Sequence, residues 1–194
     1  MKEGKIRFNT VFGSDATPSD AKLLELKQWC EKFQKNGLTP EVEGTYTGNL
    51  SFRSNEGFII TASGLRDKEN LTDDSFVYVK SYDEKTNTFI VEGKKRPSSE
   101  SIMHYRLYKA NNEVDAVFHG HSNIIVANAK KLDLPITEKE YESGTPELAT
   151  EVTKGLGNNA GVVLKNHGFV TVGKTMKQAG DLALDLLNRS KTEN

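Results

Sequence analysis

Cysteine is almost absent: Cys30 is the only one in 194 residues. One thiol cannot close an internal disulfide, which excludes a secreted disulfide scaffold. No apolar run approaches the roughly 18 residues of a membrane-spanning helix. Met1 to Asp20 is polar and lacks the apolar centre of a signal peptide. An excess of one charge is missing too, because 26 Lys and Arg face 27 Asp and Glu, a net charge of -1. That balance argues against a protein that lives on nucleic-acid phosphates. Repeats, low-complexity tracts and Pro- or Gly-rich linkers are also lacking. The expectation is a soluble, cytoplasmic chain forming one domain over 1–194, with 1–17 as an N-terminal extension and no nucleic-acid or membrane partner. A domain of this size buries roughly 70% of its unfolded surface and needs no disulfide or metal merely to fold.

What is present is a mixture of strand and helix signals. Ile6, Phe8 and Val11 give a weak strand signal over Lys5 to Phe12. Thr17-Pro18-Ser19-Asp20 reads as a helix start, with Thr17 as cap and Pro18 at the first helical position. Leu23, Leu26, Cys30 and Phe33 follow at helical spacing and Gly37 stops them, so Cys30 reads as a core residue. Asn49 to Arg53 with Gly57 to Thr61, and Phe76 to Tyr82 with Thr88 to Val91, read as strand pairs around turns. Helices are predicted over Ser98 to Ala110 (Met103, Leu107 and Ala110 inward), Ser122 to Lys130, from Thr145-Pro146 to about Gly155, and Thr175 to Arg189. Strands are predicted over Val114 to His121, Gly161 to Leu164 and Phe169 to Val172. Such a mixture suggests an α/β layered domain whose sheet is not wholly parallel.

Three of the four histidines sit where chemistry would want them. His119-Gly120-His121 ends a strand, where residues i and i+2 share a face and two imidazoles can share one cation. Gly120 between them is expected to leave the opposite side uncrowded. His167 lies in a turn, before Gly168. Three neutral imidazoles with an open position would make a catalytic type of metal site, against the alternative of two exposed strand-end histidines. Glu100 begins a helix, where a carboxylate ordinarily just complements the dipole. His104, one turn further, reads as a buried, hydrogen-bonded histidine rather than a ligand. Three other segments, Gly48-Asn49-Leu50-Ser51, Thr61-Ala62-Ser63-Gly64 and Ser98-Ser99, offer hydroxyls, N–H groups and permissive glycines. These are the groups that bind phosphate, although each segment alone is a turn or a cap. Lys94-Lys95-Arg96 reads as a solvated charge run.

Gly-Asn-Leu-Ser, Thr-Ala-Ser-Gly, Pro-Ser-Ser-Glu, His-Gly-His-Ser and Asn-His-Gly occur in that order, with nineteen positions from Glu100 to His119. In this order and spacing, over roughly Leu23 to Leu187, the chain resembles the class II aldolase/adducin family. The resemblance implies a three-layer α/β/α sandwich with a mixed, largely antiparallel central sheet. It implies a cyclic homotetramer with sites at subunit interfaces. His119, His121 and His167 would hold one divalent metal ion per subunit, usually Zn2+, with Co2+, Mn2+, Fe2+ or Ni2+ as alternatives. Glu100 would be the acid/base and would occupy the metal's open position before substrate arrives. Gly48, Asn49, Ser63, Gly64, Ser98 and Ser99 would hold the phosphate of a phosphorylated small-molecule substrate. Tyr141 is given no role.

The activity so implied is retro-aldol cleavage of a phosphorylated sugar through a metal-stabilised enediolate, a lyase reaction on a carbon–carbon bond. Dehydration of the methylthioribulose-1-phosphate type is the alternative within the family. The 4-epimerase branch typically has Asp where this chain has Glu100. The non-catalytic adducin-like module lacks the metal site, and the three histidines argue against it.

Overall fold

The computed structural model describes residues 5–192. Residues 1–4 of the expected extension lie outside the described residues. In chain order the elements are β1 (Asn9–Ser14), α1 (Leu23–Lys35), the short pair β2 (Glu41–Val42) and β3 (Thr45–Tyr46), β4 (Asn49–Ser54), β5 (Gly57–Thr61), β6 (Phe76–Asp83), β7 (Thr88–Glu92), α2 (Ser101–Ala110), β8 (Ala116–Gly120), α3 (Asn123–Ala127), α4 (Pro146–Leu156), β9 (Gly161–Leu164), β10 (Gly168–Gly173) and α5 (Met176–Thr192). Eight strands form one sheet in the order β1-β7-β6-β5-β4-β8-β10-β9. All pairings are antiparallel except β1 with β7, which run parallel.

The two-residue period of the strands decides the layers. Phe58, Ile60, Val117, Val162, Leu164 and Val170 pack into a core with Ile102, Met103 and Leu107 of α2 and Leu148, Ala149 and Val152 of α4. Their neighbours Ile59, Ala116, Phe118, Val163 and Phe169 face the other way, into a core with α1, α3 and α5. Successive side chains of a strand point to opposite faces, so central strands that are apolar throughout must be covered on both. The result is the three-layer α/β/α sandwich with a mixed, largely antiparallel sheet. On β4 and β8 the same alternation turns Asn49, Ser51 and His119 toward the α2 face, because Leu50, Phe52 and Phe118 occupy the other. That is how the sheet delivers polar groups to the start of α2.

Several local expectations are corrected. Helix α1 starts at Leu23 with Lys22 at its cap, so Thr17 and Pro18 lie outside it. Asp20 takes over locally, its Oδ1 accepting the Lys22 N–H at 2.8 Å. Helix α2 starts at Ser101, which leaves Ser98 and Ser99 in the preceding loop and Glu100 at the cap. Ala110 is exposed, and Ile102, His104 and Tyr108 join Met103 and Leu107 inside. Part of the stretch read as an extension, Asn9–Ser14, is built into the sheet edge as β1. Cys30 is fully buried in the core under α1, and Lys94, Lys95 and Arg96 are exposed.

Candidate active site

His119 is the penultimate residue of β8, and His121 lies one residue beyond that strand. His167 projects from the β9–β10 turn, which Asn166 completes at φ +56°; asparagine tolerates that left-handed conformation better than most residues. Gly168 is needed there, because a Cβ would sit 2.4 Å from the Gly120 carbonyl oxygen and 3.2 Å from both His119 and His121. Contrary to the expectation from sequence, Gly120 does not leave open space. A Cβ there would stand 2.6 Å from the Phe169 ring, which fills that side.

The three imidazoles meet nearly edge to face, with ring centroids 4.7, 4.9 and 5.1 Å apart. One ligand atom from each of them and one from Glu100 all lie within 4.8 Å of one another. His119 Nδ1 is 2.9 Å from the Phe169 carbonyl oxygen, which can only accept. Nδ1 therefore carries the proton in the neutral ring, and Nε2 presents a lone pair to the cluster. That nitrogen lies 2.9 Å from His121 Nε2 and 3.0 Å from Glu100 Oε2. Glu100 Oε1 is buried, has no hydrogen-bond partner among the described residues, and lies 3.4 Å from His167 Nε2. Converging lone pairs and an orphaned carboxylate oxygen repel one another unless a cation or proton sits between them. The donor set, three imidazole nitrogens and one carboxylate, fits a divalent transition metal.

The electrostatics agree. Burial pushes His121 well below the usual imidazole range, with His119 and His167 adding to it. Burial also lowers His167, against the opposing pull of Glu100. Both rings are thus held neutral, the form that ligates. Burial alone would raise the Glu100 carboxyl, but any positive charge gathered at His119 first, and at His167 and His121, outweighs it and holds the group well below the usual carboxylate range.

Glu100 is aimed by a buried relay. An ionised carboxylate only accepts, so Asn49 Nδ2 donates to Glu100 Oε2 at 2.9 Å. Asn49 Oδ1 then accepts from His104 Nε2 at 2.6 Å. The proton on Nε2 leaves Nδ1 to accept from Ser51 Oγ at 2.6 Å, and Tyr108 OH, 2.7 Å away, donates to Ser51. His104 is thus a buried, neutral, hydrogen-bonded histidine, as its sequence context suggested, and Asn49 directs its side chain at the carboxylate. Burial pushes His104 down to about 3. An unfolded histidine titrates near ~6.5. Below that pH the unfolded chain binds a proton that the folded chain refuses. Stability should therefore fall as pH drops from about 6.5 towards 3, by up to ~1.4 kcal/mol per pH unit from this group. Urea unfolding at several pH values should show a shallower acid decline for His104→Gln; parallel curves for variant and wild type would contradict this.

A cavity of about 360 Å³ opens from this cluster, lined by Glu100, His121 and His167 among others. Gly48, Asn49, Ser63, Gly64, Ser98 and Ser99 all line the same cavity. Backbone bonds bring their segments together: Ser63 N–H donates to Arg96 O at 3.0 Å, Ser98 N–H to Thr61 O at 3.2 Å, and Tyr46 N–H to Leu65 O at 2.8 Å. Since two of those N–H groups are engaged, the serine hydroxyls and the remaining turn amides are the donors left for an anion. Gly48 needs its freedom, because it adopts φ +73° and a Cβ would lie 2.7 Å from the His119 carbonyl oxygen.

Several residues at or behind the cavity were given no role by sequence reasoning. Tyr141 and its neighbours Glu140 and Glu142 form one wall, tied by Asn166 Nδ2 to Glu140 Oε2 at 2.8 Å and by an Arg7–Glu142 ion pair. Lys68, behind the Gly48 turn, is 1% exposed. A lysine in a loop rich in charge carries no signal of burial.

The family model described as class II aldolase and adducin N-terminal domain matches residues 25–192. A 5-methylthioribulose-1-phosphate/5-deoxyribulose-1-phosphate aldolase of Escherichia coli is 32% identical over 172 residues, covering 78% of this chain and 75% of that protein. An L-fuculose phosphate aldolase of Methanococcus maripaludis is also 32% identical, over 68% of this chain and 76% of its own. Among solved structures, an L-fuculose 1-phosphate aldolase superposes with a TM-score of 0.74 at 25% identity, over 91% of this chain and 86% of that one.

Proposed function

The chain belongs to the class II aldolase and adducin N-terminal domain family, and from that premise we propose that it is a divalent-metal-dependent aldolase acting on a ketose 1-phosphate. The observation that carries this reading is one cavity that gathers two unlike sets of groups. Glu100, His121 and His167 line it, with His119 close behind them, and serine hydroxyls and turn amides line it too. The relatives named for aldol cleavage of fuculose phosphate and of 5-deoxyribulose 1-phosphate support the substrate class.

In this reading His119, His121 and His167 hold the metal, and Zn2+ is the first expectation for such a set. When bound, the ion supplies Lewis acidity that stabilises negative charge on the substrate's carbonyl and hydroxyl oxygens. The chain does the rest. Ser63, Gly64, Ser98, Ser99 and Gly48 anchor the phosphate and fix the reacting carbons relative to Glu100. In cleavage Glu100 takes the proton of the C4 hydroxyl as the bond between C3 and C4 breaks and the aldehyde forms, and then returns that proton to C3. Condensation reverses each movement. Asn49 holds Oε2 of Glu100, which leaves Oε1 as the atom that takes and gives the proton.

No described helix is long and apolar enough to cross a membrane, and the cytoplasm is the compartment proposed. A homotetramer is the proposed assembly, and the exposed apolar residues Val11, Phe12 and Ile90 near the β1–β7 sheet edge offer one surface for a contact between copies. A panel of ketose 1-phosphates incubated with metal-loaded protein should release dihydroxyacetone phosphate from at least one member. Loss of water without carbon–carbon cleavage would instead establish the dehydratase reading.

A further inference from the structure

Lys68 lies outside the cavity lining, yet its ammonium is buried directly behind the Gly48 turn. Nζ donates to the Thr47 carbonyl oxygen at 2.7 Å and to the Gly48 carbonyl oxygen at 2.6 Å. The Lys68 N–H donates to Gln34 Oε1 at 2.6 Å, which locks the loop to the end of α1. Among the described residues, no carboxylate lies within ion-pair distance of Nζ. The Glu100 carboxylate attracts it from beyond ion-pair distance, and a buried cation so weakly compensated is costly.

The geometry points to Lys68 as a positioning residue that clamps the Gly48 turn and places a fixed positive charge behind the anion-binding end of the cavity. In a trans peptide the carbonyl and the N–H point in opposite directions. Binding of Thr47 O by Lys68 therefore turns the Gly48 N–H away from the lysine, and Gly48 itself lines the cavity. The ammonium polarises that peptide and adds a through-space attraction for a phosphate dianion. No side chain could replace this clamp from within the turn, because Gly48 has no room for a Cβ. Burial pushes the ammonium down to about 8, which keeps it charged at neutral pH.

This inference rests on the sugar-phosphate reading above, and titration with inorganic phosphate separates the two. Metal-loaded wild type should bind inorganic phosphate, and Ser99→Ala should weaken it. Lys68→Met should weaken phosphate about tenfold or more while metal stoichiometry stays at the wild-type value. With dihydroxyacetone phosphate, the variant's half-saturating concentration for solvent proton exchange should rise by a similar factor, with a far smaller change in the rate at saturation. A merely structural lysine would lower metal content, saturated rate and affinity together. Should Lys68→Met not fold, Lys68→Gln removes the charge but keeps an N–H donor, and the same loss of phosphate affinity is expected. Unchanged phosphate affinity in a folded Lys68→Met or Lys68→Gln protein overturns the inference alone. Absence of phosphate binding by wild type overturns it together with the sugar-phosphate reading.

Discussion

Replacing Glu100 by Gln should lower turnover by about 10²-fold or more, the usual worth of a general acid/base. Glutamine keeps the size and an oxygen for the Asn49 hydrogen bond, but it cannot take up and return a proton. The three imidazoles and the serine turns are untouched, so bound metal and phosphate affinity should remain. Exchange of the C3 proton of dihydroxyacetone phosphate with solvent should fall in step, because it needs proton transfer and no aldehyde. The competing account treats Glu100 as a helix-dipole carboxylate. It predicts a stability loss of only ~0.3–1 kcal/mol with normal activity. The geometry disfavours it: Glu100 caps α2 in position, yet its side chain makes no capping bond and accepts from Asn49 instead. Near-normal exchange in a metal-loaded Glu100→Gln protein would refute the acid/base role.

The second large effect is expected for His121→Ala. Loss of a hydrogen bond behind a metal ligand typically weakens binding ~10–100-fold, so loss of a ligand itself should exceed about 100-fold. Metal content of the purified variant should fall from one ion per chain towards none, and activity should follow it. His121 lies beyond the end of β8, so the strand and its core partners should survive; thermal unfolding of the metal-free forms should be similar. A His121→Ala protein with full metal occupancy and wild-type activity would remove His121 from the ligand set.

Much of this architecture was legible in the chain. The strand pairs Asn49–Ser54 with Gly57–Thr61 and Phe76–Asp83 with Thr88–Glu92 follow from alternation around short turns. Thr145-Pro146 announced α4, and Thr145 Oγ1 does accept the Leu148 N–H at 3.2 Å. The same kind of signal misled at Thr17-Pro18: α1 starts only at Leu23, just after Asp20 accepts the Lys22 N–H. Strand β1 pairs with β7 from about 80 residues away in sequence, and no local pattern fixes so distant a partner. At the site, the strand period brought His119 and His121 toward one point, and the β9–β10 turn brought His167 to them. The relay through His104, Ser51 and Tyr108 was not legible, because it joins β4 to α2 across the sheet face and depends on the register of β4. Lys68 was invisible for the opposite reason: its composition speaks of solvent, and only the packing of the Gly64–Asn70 loop under α1 buries it.

The most direct measurement is deuterium incorporation into dihydroxyacetone phosphate, followed by NMR in D2O, with wild-type protein carrying one divalent ion per chain. Glu100 reaches the substrate from one side, so one of the two C3 protons should exchange. Exchange should cease on chelation and return when the metal is restored. Protein that holds stoichiometric metal and binds phosphate yet exchanges neither proton would contradict the account.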